Sequence, residues 1–232
     1  MPNSRVQDVI KKRIASSGVP PSYRLEAVNY LLMFGEWLKH HPCPQVFDTG
    51  YELYQYLERS IIQTQPIDFL EFGVYNGYSL KIWLDLHQHP YSRFFGFDSF
   101  EGLPEDWKMF TQTMAKGTFD MGGKPPVIED RRVQFVQGIF QQTLPPFLQD
   151  FQPQQRLLIH CDADLYSSTL YVLASLNGVM EPGTILLFDQ FSSVSHEFRA
   201  FRDFTQAFMR NYRVLAACEP FYAKVAIELL PG

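Results

Sequence analysis

Five apolar segments of the sequence end in polar side chains that could do chemistry: Glu71, Asp98, the loop from Gln137, Asp162 and Asp189. Such segments, alternating with helix-like runs, are typical of buried strands in a parallel sheet. The carboxyl ends of parallel strands lie along one edge of the sheet, where ligands bind. We therefore expect these side chains to share one binding site.

A glycine turn follows the first segment. Gly73 and Gly77 come soon after Glu71 and before a helix-like run, so the backbone can approach a ligand and a helix N-terminus offers free N–H groups. Tyr75 stands where a dinucleotide-binding motif has its middle glycine, and its side chain would obstruct a pyrophosphate. Because S-adenosylmethionine has no phosphates, the turn favours it over a nicotinamide dinucleotide.

The second segment, Phe94–Phe97, ends at Asp98. This residue follows Glu71 by 27 positions, and an acid at this place typically holds the two hydroxyls of a ribose. The glycine turn at Gly73 and Gly77 and the acid at Asp98 together predict a site for a nucleoside-containing cofactor.

Asp162 and Asp189 are expected at the ends of adjacent strands. Two carboxylates without a partner repel each other, which predicts a divalent cation or a shared proton between them. Hard cations such as Mg²⁺ prefer oxygen ligands, and Gln190 offers an amide oxygen as a third ligand. The alternative is structural: Asp189 would cap the following segment, and Asp164 would cap the next helix.

Several motifs in the order found here resemble the class I S-adenosylmethionine-dependent O-methyltransferases. More narrowly, the chain is similar to the macrocin O-methyltransferase (TylF/MycF) family, whose members methylate sugar hydroxyls in antibiotic biosynthesis. The resemblance extends from about Asp68 to Phe204. Its motifs are Glu71–Gly77, Gly96–Pro104, Lys116–Phe119 and Asp162–Thr169, followed by Pro182-Gly183 and Asp189.

The resemblance implies Mg²⁺ held by Asp162 and Asp189, with two substrate hydroxyls chelated. The family has a second Asp where this chain has Gln190, and similar catechol-type methyltransferases use an amide residue there. The catechol type also carries a lysine base three residues after its first metal ligand. That position is Leu165 here, so its mechanism does not transfer.

The expected cofactor contacts follow from these assignments. Glu71 would hold the methionine amine of S-adenosyl-L-methionine, and Asp98 its ribose. The other expected contacts are Gly73, Tyr75, Gly77 and Ser79 near the methionine portion, Ser99, Phe100, Gln137, Gly138 and Phe140 near adenine, and Asp162.

Asp162 is also a candidate proton acceptor for the reacting hydroxyl. His160, two positions earlier on the same strand, is a rival base, although a buried, hydrogen-bonded structural role would be the more ordinary one for it. His196 is a third candidate, but its place near a helix start is more typical of a surface histidine.

The pattern of elements predicts one α/β domain over 1–232. We expect a doubly wound Rossmann-like methyltransferase fold, a mostly parallel sheet with an antiparallel C-terminal strand and extra N-terminal helices. A helical cap over 1–64 would precede the core of 65–232, with a lid loop at about 104–131. The expected N-terminal helices are 5–15, 22–40 and 51–63, with a proline pair, Pro20-Pro21, after the first. The cap could cover the cleft, make a dimer contact or simply pack outside.

Composition narrows the function class. A net charge of −5 argues against a nucleic-acid partner, and three dispersed cysteines argue against a disulfide framework or zinc site. The sequence shows no signal-like or membrane-spanning segment. We expect a cytoplasmic enzyme with a small-molecule hydroxyl acceptor and no membrane partner, and homo-oligomer formation stays open.

Three other functions also remain open. They are a metal-independent methyltransferase, a non-catalytic S-adenosylmethionine- or sugar-binding protein, and a nicotinamide-dependent oxidoreductase. The neutral Gln190 lowers the charge of the expected metal site and therefore keeps the first two open beside a magnesium enzyme, whereas Tyr75 counts against the third.

Overall fold

The computed structural model describes residues 3–18 and 22–232, and in these residues one eight-stranded sheet forms the centre of the molecule. Its order is β1-β9-β10-β8-β7-β2-β3-β6. The bounds are β1 Val46–Phe47, β2 Ile67–Phe72, β3 Arg93–Asp98, β4 Trp107–Lys108, β5 Thr113–Met114, β6 Val133–Gln137, β7 Arg156–Cys161, β8 Ile185–Phe188, β9 Tyr212–Cys218 and β10 Lys224–Leu229, with β4 and β5 forming a separate hairpin.

The sheet is parallel except around its C-terminal strand. β10 runs antiparallel to both β8 and β9, while β6, β3, β2, β7 and β8 pair in parallel. Strands β2 and β8 are buried along their full length, which explains why apolar residues make up all of β8 and most of β2, where Asp68 and Glu71 are the buried exceptions. The predicted mixed sheet with an antiparallel C-terminal strand is confirmed.

Helices cover both faces of the sheet. Their bounds are α1 Asn3–Ala15, α2 Tyr23–His40, α3 Gly50–Tyr56, α4 Tyr78–Leu86, α5 Phe140–Asp150, α6 Tyr166–Leu176 and α7 Arg199–Ala207. One apolar core unites α2, α5, α6 and α7 with the sheet, and a second unites α3 and α4 with its other face. This is the doubly wound arrangement expected from the sequence.

The second and third N-terminal helices pack on opposite faces of the sheet. Phe34 and Trp37 of α2 enter one core, whereas Leu53 and Tyr54 of α3 enter the other. Thr49 caps α3 through a reciprocal capping box with Glu52. Helical spacing in the sequence predicts a buried face of α2 made of Leu25, Val28, Leu31, Leu32 and Trp37. Of these, only Trp37 is buried, and the four aliphatic residues are exposed.

Several predicted boundaries shift. The third helix passes into a π-helical segment, Leu57–Ile62, and a second π-helical segment, Val194–Phe198, precedes α7. The serine pair Ser167-Ser168 near the start of α6 favours a side-chain cap from the sequence, but the helix begins without one. Instead, the hydroxyl of Ser167 donates to Glu105. The pair Pro20-Pro21 lies outside the described residues.

The predicted lid segment, 104–131, folds against the carboxyl edge of the sheet. It contains the β4–β5 hairpin, and the N–H groups of Met121 and Gly123 donate to the carbonyl of Phe100. Leu103, Trp107 and Leu165 form a small buried cluster beneath it. The segment thus lies where a lid would, and its opening and closing stay a prediction.

None of the helices in the described ranges has the length and apolar character needed to cross a lipid bilayer.

Candidate active site

A cleft opens at the carboxyl edge of the sheet, above the ends of β2, β3, β6, β7 and β8. Predicted site residues from the ends of five separate strands meet in its wall. They are Gly73, Tyr75, Asp98, Ser99, Gly138, Phe140, Asp162 and Gln190.

Other predicted site residues lie behind this wall or beside it: Glu71, Gly77, Ser79, Phe100, Gln137, His160 and Asp189. Phe100 is fully buried against Phe135, so its ring belongs to the core rather than to an adenine pocket. The amide of Gln137 donates to the carbonyl of Gly123 at 2.7 Å and thereby ties down the lid segment.

Sequence reasoning also missed part of the cleft wall. The missed residues are Gly102, Leu103, Pro104, Trp107, Phe119, Ile139, Gln141, Ala163, Asp164 and Ser168. Most belong to the motifs that carried the family resemblance, so those motifs were the available signal. The signal for Asp164 was its position two residues after Asp162, at the same strand end.

The backbone of the glycine turn closes on the end of β7. Gly73 has φ +95°, and a Cβ added there would lie 1.9 Å from the carbonyl oxygen of Asp162. Its N–H donates to the carbonyl of Phe97 at 2.9 Å. The ends of β2, β3 and β7 can therefore meet closely only because residue 73 has no side chain.

We expect Gly73→Ala to destabilise the protein by about 1–3 kcal/mol more than Gly183→Ala, because only the first forces backbone atoms apart. Gly183 is a matched control: its φ is +94°, but an added Cβ would meet nothing within 4 Å. Urea unfolding of both variants measures the difference. Equal losses would mean that backbone strain alone, and not contact with β7, requires glycine at position 73.

Asp98 fixes the turn from the neighbouring strand. Its Oδ2 accepts the N–H groups of Val74 and Tyr75, both at 2.8 Å, and its Oδ1 accepts the N–H of Phe100 at 2.8 Å. Because a carboxylate has about four acceptor positions, one remains for a ligand hydroxyl. Asp98 therefore organises the cleft wall and still presents an acceptor to it.

A chain of charged groups runs beneath the cleft. The Glu71 Oε1 atom accepts from the Ser79 hydroxyl at 2.5 Å and from Nδ1 of His160 at 2.9 Å. On its other side, His160 Nε2 lies 3.8 Å from Asp189 Oδ1, which also contacts the ammonium of Lys224. The four charged side chains, Glu71, His160, Asp189 and Lys224, come from four different strands or strand ends, which the sheet order brings into contact.

The charges of this chain set its protonation. Burial alone would lower the pKa of His160, but Asp189 and Glu71 outweigh it and raise the pKa to about 9. Burial would likewise raise the pKa of Asp189, yet His160 and Lys224 lower it to about 2. At neutral pH, His160 is therefore an imidazolium held between two carboxylates. It has no free lone pair and does not reach the cleft, which counts against it as a base.

Two further acids stand at the end of β7. Burial, with the charge of Asp189 adding to it, raises the pKa of Asp162 well above its ordinary value. The same two causes, opposed by Lys224, raise the pKa of Asp164 to about 7. Asp164 also has φ +58°, an uncommon conformation for a residue other than glycine that is often found at functional sites.

His196 is buried rather than on the surface. Its Nε2–H donates to the carbonyl of Lys108 at 2.8 Å, and its Nδ1 accepts the N–H of Tyr166 at 3.2 Å. Burial lowers its pKa. These contacts join the lid hairpin to the start of α6, so His196 has a structural role between two walls of the cleft.

The acidic residues at the strand ends are a poor fit for a divalent cation. Asp189, one of the predicted ligands, already contacts Lys224, and the backbone N–H of Gln190 donates to buried Glu197 at 2.8 Å. Glu71, His160 and Asp162 also lie close enough together to suggest a metal site. To bind a metal there, however, His160 would have to lose a proton that the carboxylates of Glu71 and Asp189 stabilise. The residues present therefore do not fit Mg²⁺ well.

Comparison with known proteins agrees with the fold. A family model described as a methyltransferase domain matches residues 70–191. No curated protein matches the chain in sequence. Solved structures similar to this chain include the O-methyltransferase NovP, with 19% identity, coverage of 78% of this chain and 79% of that one, and a TM-score of 0.60.

Two more solved structures cover nearly the whole chain. The apo form of CalS11, described as a TDP-rhamnose 3′-O-methyltransferase of calicheamicin biosynthesis, is 21% identical over 92% of this chain and 97% of that one, with a TM-score of 0.53. An O-methyltransferase from Bacillus cereus in complex with SAH is 17% identical over 96% and 97%, with a TM-score of 0.51.

Proposed function

The chain belongs to the methyltransferase domain family, and we propose that it transfers a methyl group from S-adenosyl-L-methionine to a hydroxyl of a small molecule. The observation that carries this proposal is the meeting of Asp98, the Gly73 turn and Asp164 in one cleft. The first two suit a nucleoside-containing cofactor, and the third suits removal of a proton from an acceptor. Membership of the TylF/MycF group is part of the proposal, supported by the motifs described above.

The cleft fits the cofactor at the level of its residues. Asp98 would hold the ribose through its remaining acceptor position, and the turn at Gly73 would face the methionine portion. Gly138, Ile139 and Phe140 would form the apolar wall for adenine. When bound, the cofactor supplies an electrophilic methyl group on a sulfonium, and the protein has to position the acceptor oxygen and take its proton.

We assign the proton acceptor to Asp164. It lines the cleft, and its pKa of about 7 makes it both available as a base and strong enough to act near neutral pH. Asp162 also lines the cleft and remains the rival base, since burial and the charge of Asp189 raise its pKa well above its ordinary value too. The earlier alternative, that Asp164 caps helix α6, is not supported, because that helix begins at Tyr166 after an uncapped Leu165.

The acceptor we propose is a sugar or a glycosylated natural product. The outer wall of the cleft combines the aromatic rings of Trp107 and Phe119 with the polar side chains of Gln141, Ser168 and Gln190. Flat apolar faces next to hydrogen-bonding groups suit a carbohydrate, which has both kinds of surface. The described substrate class of CalS11 agrees with this choice.

Magnesium assistance was the finer prediction from the sequence, with Asp162, Asp189 and Gln190 as ligands. Because Lys224 contacts Asp189 and Gln190 is neutral, we favour the alternative in which methyl transfer does not require a metal ion.

Calorimetric titration with S-adenosylhomocysteine, with and without Mg²⁺, tests the proposed cofactor. We expect micromolar binding that Mg²⁺ does not change, and no heat from NADH, which the oxidoreductase alternative predicts to bind. Absence of S-adenosylhomocysteine binding in both conditions would contradict the proposal. Binding would justify an acceptor screen that starts from sugars and catechols, and turnover in that screen would separate an enzyme from a non-catalytic binding protein.

A further inference from the structure

Lys224 brings an ammonium group to the strand-end acids from the last strand of the sheet. Val225 pairs with Phe188, so Lys224 lies beside the residue that follows β8, which is Asp189. The Lys224 Nζ atom contacts Asp189 Oδ1, and both side chains are largely buried, at 23% and 13% exposure. A cation from the chain itself thus occupies one of the two carboxylates on which the predicted metal site depends.

The path of the Lys224 side chain is prepared by a glycine. A Cβ on Gly50 would lie 2.7 Å from Cε and 2.9 Å from Cδ of Lys224. Gly50 is the first residue of α3, directly after the capping box at Thr49, and its φ does not itself require glycine. The absence of a side chain at position 50 therefore leaves the space through which Lys224 reaches Asp189.

The charge around Asp189 is already balanced. Lys224 stands on one side of its carboxylate and His160 Nε2 lies 3.8 Å away on the other. The next residue, Gln190, adds no negative charge. A divalent cation bound to Asp189 would meet an ammonium group at close range, and like charges in a partly buried site repel each other strongly.

We propose that Lys224 supplies from within the chain the positive charge that a divalent cation would supply at this sheet edge, so that the site works without metal. Lys224 is a positioning residue: its contact with the Asp189 carboxylate holds that side chain next to the acids of the cleft. The catalytic role of Lys224 in this inference rests on the proposed function. The predicted differences in metal binding between the wild type and the variants can be measured without turnover.

The test is the affinity for Mn²⁺, measured by calorimetry and by the electron paramagnetic resonance signal of free Mn²⁺. Five proteins are compared: the wild type, Lys224→Met, Lys224→Arg, Gln190→Asp and the double variant that combines Lys224→Met with Gln190→Asp. We expect no specific site in the wild type and none in Gln190→Asp, because the ammonium remains. Lys224→Met should bind Mn²⁺ at least about tenfold more tightly, equivalent to about 1.4 kcal/mol, and the double variant more tightly still. Lys224→Arg, which keeps the charge, should bind none.

Gly50→Ala provides a second route to the same state. The added methyl group should push the Lys224 side chain away from Asp189 without removing its charge from the chain, so Mn²⁺ binding should rise in this variant as well. Binding of S-adenosylhomocysteine, measured on every variant, reports on folding and on the proposed cofactor independently of metal.

Two results would overturn the inference. One is stoichiometric Mn²⁺ binding by the wild type that is lost in Asp189→Asn. The other is a Lys224→Met protein that still binds S-adenosylhomocysteine but binds Mn²⁺ no better than the wild type. If the wild type does not bind S-adenosylhomocysteine, the proposed function is contradicted. The Mn²⁺ affinities of the wild type and the Lys224 variants would still decide the inference about Lys224.

Discussion

Asp164→Asn is expected to lower kcat for methyl transfer by about 10²–10⁴-fold, the usual contribution of a general base, while S-adenosylhomocysteine affinity stays unchanged. The amide has nearly the same shape as the carboxylate but cannot take a proton. The measurement is turnover on an acceptor identified by screening, together with calorimetry for the cofactor product. Because Asp164 lines the cleft without capping a helix, its replacement should not disturb α6.

Asp162→Asn is the matched comparison, because Asp162 lies two residues away, lines the same cleft and also has a raised pKa. If Asp164 is the base, its replacement should cost far more activity than that of Asp162. The reverse order would return the role to Asp162, as the sequence suggested. Equal and small losses in both variants would mean that neither carboxylate accepts the proton.

The pH dependence of kcat gives an independent check. Burial and the charge of Asp189 raise the pKa of Asp164 to about 7. Below this pH the carboxyl is protonated and cannot act as a base, so kcat should fall about tenfold per pH unit as the pH drops, and level off above it. This limb should disappear in Asp164→Asn. A profile that is flat from pH 5 to 8 in the wild type would contradict the assignment.

The sequence was informative wherever local pattern and chain direction decide the structure. Apolar runs that end in Glu71, Asp98 and Asp162 predicted three strands with nearly correct ends, because strands covered on both faces are predominantly apolar. Since all of these strands are parallel, one sheet edge had to collect their polar ends. The grouping of Asp98 and Asp162 in one cleft follows from that geometry alone.

The sequence was uninformative where the structure depends on contacts between distant residues. Lys224 follows Asp189 by 35 positions, and only the antiparallel pairing of β10 with β8 brings them together. His196 looked like a surface residue because nothing local indicates that the lid hairpin packs over it through Lys108. Helical periodicity in α2 correctly selected Trp37, but it also selected Leu25, which is exposed, and it missed Phe34, which is fully buried.

Asp98→Ala is expected to weaken S-adenosylhomocysteine binding by about 10²-fold, measured by calorimetry. A hydrogen bond from a ribose hydroxyl to an ionised acceptor is worth about 1.5–3 kcal/mol. The same substitution leaves three backbone N–H groups, those of Val74, Tyr75 and Phe100, without their acceptor. The cofactor wall should therefore lose both a direct contact and the carboxylate that holds its shape.

A deoxyribose analogue separates these two causes. If Asp98 contacts a ribose hydroxyl, S-adenosylhomocysteine should bind the wild type more tightly than its 2′-deoxy or 3′-deoxy form, and this preference should vanish in Asp98→Ala. If Asp98 acts only by holding the turn, the variant should bind all three ligands weakly but keep the wild-type preference among them. Unchanged affinity for S-adenosylhomocysteine would exclude both roles. Asp98 then could not be the acid of a ribose site, and the nucleoside interpretation of this cleft would lose its principal residue.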